Sequence, residues 1–446
     1  MTEEKYLFKP ETKKLIAIVG GVGLLLVVLG LWIASSGGGH VEEHALLDDN
    51  STLLTSIDHS STLVSEAAAE GEHHAESPIW KRRLLASLWQ NNVMFTGLAI
   101  IGLFFVTIQY AASAGWSAPI KRIPLSMASW LPIAGVLMIV VWFIGSHDIF
   151  HWTHALYGED GDEILKGKQA FFFWPLDGTS GLPLFYILRM VIFFAVWYLF
   201  FIWIKREMLA EDVDGLTDHW YKLRKYSALF LIFFGVSSSV SAWDWVMSID
   251  PHWFSTMFGW YVFASWWVMG LAFITFTVAK LKDKGYLPMV NSNHLHDLGK
   301  FVFAFSIFWT YIWFSQFLLI YYANIPEETV YFVQRLTTSP YSWVFYLNIV
   351  LNFVLPFLLF MTRDSKRQIT IITLVCPIVL VGHWFDFYLM INPGIMKEDG
   401  GIGLLEIGMT LVYGAAFVYV MLSSLSKMPL VAKNHPMLQE SVHHHI

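Results

Sequence analysis

Ten apolar stretches, each about 20 residues long or slightly more, limit what this chain can become more than any other feature. They fall at 15–35, 93–112, 125–146, 182–204, 227–248, 257–279, 299–323, 342–361, 369–391 and 402–423. About 20 helical residues match the thickness of a bilayer's hydrocarbon core. Open strands there would leave backbone N–H and C=O groups without partners. The predicted fold class is therefore an all-α integral membrane protein with about ten transmembrane helices. Composition agrees: 14% of the residues are charged, where a soluble chain carries about 25%.

Orientation follows from the connections. Twenty of the 28 Lys and Arg residues lie in segments on the N-terminal side of the bilayer, seven on the other side, and Arg189 within a span. Cytoplasmic loops carry the excess of cations, so both termini are expected in the cytoplasm. The first stretch, behind Lys5, Lys9, Lys13 and Lys14, is long for a signal-peptide core and lacks a convincing A-x-A site, so it reads as a retained span.

The chain divides into a tail and first span (1–35), a long outer loop (36–92), spans two to five (93–249), spans six to nine (250–391), and a tenth span with a cytoplasmic tail (392–446). In the outer loop, Ser77 and Pro78 mark a helix start. Trp80 and Trp89 beside Lys81, Arg82 and Arg83 predict that this helix lies along the outer surface. The tail ending His443–His445 reads as disordered. No short-period repeat is visible. If the two four-helix units repeat, both begin from outside, and their axis runs along the membrane normal.

Several functions are disfavoured. A net charge of −7 argues against nucleic acid. The single cysteine, Cys376, excludes an intrachain disulfide, a Cys-ligated iron–sulfur cluster and covalent haem attachment. His383 is the only histidine well inside a span, which disfavours a bis-histidine haem. The histidines of the first outer loop lack ligand spacing, and His294 and His296 beside Asp297 read as surface.

Ionisable side chains deep in a membrane cost about 2.5–3.5 kcal/mol each on insertion scales, so they mark a pathway or site by default. Five lie within spans: Arg189, Asp244, His383, Asp386 and Glu406. All fall in the outer half, and one layer suggests one site. His383 and Asp386 share a helix face. Ser237, Ser241 and Asp244 form a stripe at i, i+4 and i+7, as do Glu406, Thr410 and Tyr413, which suits a proton wire. The competing reading is a static ion-pair cluster with Arg189 neutralising one acid. Three carboxylates against one guanidinium leave acid without a counter-charge, which suits proton exchange. Asp148, His151, His154 and Asp250 form a candidate outer entrance.

Two segments carry a resemblance. Ser241-Ala242-Trp243-Asp244-Trp245-Val246-Met247-Ser248-Ile249-Asp250-Pro251-His252-Trp253 and Tyr321-Tyr322-Ala323-Asn324-Ile325-Pro326-Glu327-Glu328-Thr329 resemble the ActF family. These are NrfD-like (polysulfide-reductase-type) membrane subunits of bacterial alternative complex III. The paralogous ActC family is the neighbouring possibility, and the second segment favours ActF. The resemblance implies two four-helix bundles with flanking helices in a bacterial inner membrane. It implies a subunit of a quinol:electron acceptor oxidoreductase that holds no redox cofactor and contributes a proton pathway, quinol binding or both. Partners would be the paralogous subunit, an iron–sulfur subunit and c-type cytochrome subunits, with menaquinol as a possible quinol. A secondary transporter or a purely structural membrane anchor are the readings from other classes.

Overall fold

The computed structural model describes residues 5–36, 77–153, 163–176, 178 and 181–445. Among them are ten helices long and apolar enough to cross a membrane, numbered here in chain order. They are α1 (Pro10–Ser36), α2 (Ile79–Ala111), α3 (Arg122–Ile149), α4 (Leu184–Asp214), α5 (Thr217–Ile249), α6 (Phe258–Asp283), α7 (Ser292–Ala323), α8 (Ser339–Leu359), α9 (Ile369–Asp399) and α10 (Leu404–Leu425). The protein is an all-α, multi-pass integral membrane protein.

Helices α2–α5 pack as one four-helix bundle and α6–α9 as a second, joined where α2 and α5 meet α6 and where α2 meets α9. The most apolar window of α2 is 89% buried and that of α1 only 11%, so α2 is the central post and α1 faces outward. Helix α1 lies along α10, which in turn lies on α2. Small residues allow this close approach: a Cβ at Gly23 would stand 2.8 Å from the Gly408 carbonyl oxygen, and one at Gly30 2.5 Å from Leu405 N. The chain ends meet on one face of the bundle, where Lys5 bridges to Pro429 and Tyr6 packs on Tyr286. We call this the termini face and its opposite the far face.

Four expectations are corrected. Residues 79–92 are not a surface helix; they run unbroken into α2, with Leu85–Ser87 and Trp89–Asn92 buried. Their polar groups face protein rather than an interface: Trp89 Nε1 donates to the Trp245 carbonyl at 2.7 Å. The helix start also differs, because Pro78 is the N-cap itself and Ser77 Oγ accepts from Lys81 Nζ. The C-terminal segment packs on the protein. It straps the termini face, and there it buries His294, whose Nε2 meets Ser441 Oγ at 2.9 Å; neither this histidine nor the buried His296 is at the surface.

Candidate functional site

The five intramembrane ionisable residues do not share one site. Arg189 on α4 and Asp244 on α5 form a forked pair, Nε to Oδ2 at 2.8 Å and Nη2 to Oδ1 at 2.7 Å. The third side of the guanidinium donates to the Phe171 carbonyl, and its plane lies over the Phe171 and Phe185 rings. Glu406 has a different cation: Arg83 donates to both its oxygens, at 3.0 and 2.8 Å. Glu406 also accepts from Gly403 N, which caps α10. Counting one guanidinium against three acids therefore fails. Arg83 comes from the segment assigned to the outer surface, and it reaches the same level.

Asp386 is the exception. All four helices of the second bundle converge on its carboxylate. Tyr261 and Ser265 of α6, Trp309 of α7 and Asn348 of α8 all donate to it: Tyr261 OH to Oδ1, Ser265 Oγ to Oδ2 at 2.6 Å, Trp309 Nε1 to Oδ2 at 3.0 Å, and Asn348 Nδ2 to Oδ1 at 3.0 Å. No Lys or Arg is among these partners. His383, one turn earlier on α9, places Nδ1 3.5 Å from Asp386 Oδ2. Neither of its ring nitrogens has a hydrogen-bond partner among the described residues, although the ring is fully buried and stands edge-on to Trp309.

Local backbone builds this arrangement. Helix α8 widens into a π turn at Val350–Val354, a distortion that often marks functional positions. The turn carries Asn352, which donates to Asn348 Oδ1 at 2.6 Å. Gly382 makes room for it, since a Cβ there would lie 2.3 Å from Asn352 Oδ1.

Toward the far face, a cavity of about 10 Å³ is lined by Tyr261, Gln316, Tyr331, Arg335, Leu389 and Met390, among others. That is room for about one water centre. Beyond it Arg335 joins the turn after α5 to α9. Its Nη2 donates to Asp250 Oδ2 at 3.1 Å, and its Nε donates to the Leu389 carbonyl at 2.8 Å. Asp250 then lines an open groove with Gln334, Pro393, Gly394 and Lys397. The other entrance candidates lie elsewhere. Asp148 pairs with Lys81 at 2.8 Å, the exposed His151 ring lies 6.0 Å from His252, and His154 is outside the described residues.

The hydroxyl stripes bond to partners other than the two carboxylates. Ser237 Oγ accepts from Trp197 Nε1 at 3.0 Å, and Ser241 donates to the Ser238 carbonyl. Thr410 donates to the Glu406 carbonyl and Tyr413 to that of Leu88. None of these hydrogen bonds reaches the Asp244 or Glu406 carboxylate. A hydroxyl in a helix readily back-bonds to its own turn, and here that preference prevails.

Tyr261, Ser265, Trp309 and Asn348 escaped a search for charges and hydroxyl stripes. A usable signal was present. Trp243-Asp244-Trp245-Val246-Met247-Ser248-Ile249-Asp250-Pro251 and Phe385-Asp386-Phe387-Tyr388-Leu389-Met390-Ile391-Asn392-Pro393 share an aspartate between aromatic residues, then Ile, an acid or amide, and Pro. They lie toward the ends of the fifth and ninth helices, the last of each bundle. The two copies touch, since a Cβ at Gly394 would meet Ile249 and Asp250. No family model matches the chain, and no curated protein matches it.

Proposed function

We propose that this chain is a membrane subunit of a quinol-oxidising respiratory complex of the alternative complex III type, and that it moves protons through its second bundle. The observation that carries the reading is Asp386. It is a fully buried carboxylate held by neutral donors from the three other helices of its bundle, beside a histidine whose two ring nitrogens have no hydrogen-bond partner among the described residues. A group that must exchange a proton cannot be locked by a guanidinium, because a forked ion pair strongly favours one protonation state. Asp244 and Glu406 are locked in that way and Asp386 is not. His383 is placed to receive its proton. The Tyr261 hydroxyl and the water-sized cavity lead from it toward the far face.

The respiratory assignment rests on the resemblance of residues 241–253 and 321–329. In it the far face is the outer face of a bacterial inner membrane, both termini are cytoplasmic, and redox groups belong to iron–sulfur and c-type cytochrome partners. Purification in mild detergent tests this part, with haem- and cluster-bearing subunits expected to co-purify. For the pathway, Asp386→Asn in proteoliposomes is expected to slow proton transfer by about 100-fold with subunit composition unchanged. An unaltered proton-to-electron ratio would refute it.

One observation favours quinol binding as a second role. A cavity of about 340 Å³ opens beside the Arg189–Asp244 pair, lined by Lys168, Phe171, Phe172, Trp243, Trp253 and Phe254 among others. This volume falls within the range of small-molecule sites, about 300–1,000 Å³, and the aromatic walls suit a flat ring. A water-soluble quinone analogue should quench tryptophan fluorescence saturably, and Trp243→Leu should weaken the effect. Non-saturating quenching would remove this role.

A further inference from the structure

On the termini face, the first bundle encloses a group of ionisable side chains that the pathway above does not use. Glu211 sits in the last turn of α4 and is 1% exposed. Neither of its carboxylate oxygens has a hydrogen-bond partner among the described residues. Around it are Lys121 and Arg122 at the start of α3, Asp212 on α4 and His219 on α5, with Tyr110 closing α2. Arg122 Nη2 is satisfied by Asp212 Oδ2 at 2.6 Å and the Met208 carbonyl at 2.7 Å. Among the described residues its Nε and Nη1 have no partner, and neither does the Tyr110 hydroxyl. Lys121 makes no ion pair with Glu211. Its ammonium position lies 3.9 Å from the Tyr110 ring centre and 3.0 Å from His435 Nε2.

The C-terminal segment covers this group. Lys433 N donates to Asp212 Oδ1, Asn434 Nδ2 to the Glu211 and Asp212 carbonyls, and Ser441 Oγ to the Trp116 carbonyl. Buried polar atoms in such numbers are normally bridged by ordered water. Two cations facing two acids suit neither a bare metal ion nor an anion. The hydrogen-bond directions say more. His435 Nδ1 accepts from Met437 N at 3.2 Å, so the proton of the neutral ring is on Nε2 and points at Lys121. An ammonium has no lone pair to accept it, whereas a neutral amine does. Burial pulls the Lys121 ammonium down to about 7. Burial, then the charges of Lys121 and Arg122, lowers His435 to about 3, which keeps that ring neutral.

We infer that Glu211 and Lys121 form a hydrated proton-exchange site on the termini face, closed from bulk solvent by the C-terminal segment that carries His435. The step is a proton transfer only. Lys121 Nζ–H⁺ releases its proton to bridging water, and a Glu211 oxygen takes one up, which leaves an amine and a carboxylic acid. The reverse step restores the ammonium and the carboxylate. The site rests on the proton-moving reading for its purpose but not for its chemistry, so it is testable without turnover.

Infrared difference spectra of the whole chain in lipid nanodiscs, taken between about pH 6 and pH 8, either side of the value to which burial lowers Lys121, should show a protonated-carboxyl band that changes with pH. Glu211→Gln, close to isosteric, should remove the band, and Lys121→Arg, whose cation does not release its proton and so favours the carboxylate, should weaken the band and move its pH dependence to lower pH. If Glu211→Gln fails to fold, Lys121→Arg alone decides the matter. His435→Ala should speed the deuterium shift of the band by uncovering the site. A band that survives Glu211→Gln, or is indifferent to Lys121→Arg, overturns the inference. Asp386→Asn should leave this band in place. Failure of the pathway through Asp386 is thereby separable from failure of this site.

Discussion

Replacing Arg189 with Met is expected to destabilise the protein by about 3–5 kcal/mol, the cost of leaving one member of a buried pair uncompensated. Asp244 is 1% exposed, and both its oxygens are bonded to this one guanidinium. The Phe171 carbonyl would lose its donor as well. The double variant Arg189→Met/Asp244→Asn should recover most of the loss, because it removes the stranded charge rather than a net attraction. Detergent-titrated unfolding followed by helical circular dichroism measures both. A single variant that costs under about 1 kcal/mol, the range of exposed pairs, would show that water reaches the pair. The double variant also separates roles, since a folded protein with normal proton transfer confirms Asp244 as an anchor.

Gly97→Ala should be the most damaging single-methyl addition. The new Cβ would lie 1.8 Å from Trp266 Cδ1 and 2.1 Å from its Nε1, and Trp266 is fully buried where α2 meets α6. A rigid indole in a packed interface cannot retreat by that distance without moving a helix, so overpacking of about 3 kcal/mol or more is expected. Gly235→Ala is the control. A Cβ there meets nothing within 4 Å, and the change should stabilise α5 by up to about 1 kcal/mol. Equal unfolding midpoints for the two variants would contradict this account of the bundle interface.

Much of the fold was legible because a bilayer imposes one rule on every segment. Apolar runs of sufficient length become helices, and all ten appear where they were expected. Their ends were less legible. Helix α2 begins at Ile79 rather than near residue 93, because Ser87, Gln90, Asn91 and Asn92 look like loop residues until their partners are known. Asn392 Nδ2 donates to Gln90 Oε1 at 2.7 Å, a contact between residues about 300 apart in the chain that hydropathy does not register. For the same reason the histidines and polar groups under the C-terminal strap looked solvent-exposed.

What the sequence by itself determined is which residues are costly to bury: Arg189, Asp244, His383, Asp386 and Glu406 were identifiable from hydropathy, since burial energy depends on residue type and span. What only the tertiary structure decided is who neutralises whom. Arg83 reaches Glu406, Arg189 takes Asp244, and Asp386 is left to Tyr261, Ser265, Trp309 and Asn348. Hydrogen bonds act over about 3 Å, and a shift of one residue turns a helix face by about 100°. The pairing therefore depends on how ten helices rotate against one another, which no single helix's sequence specifies.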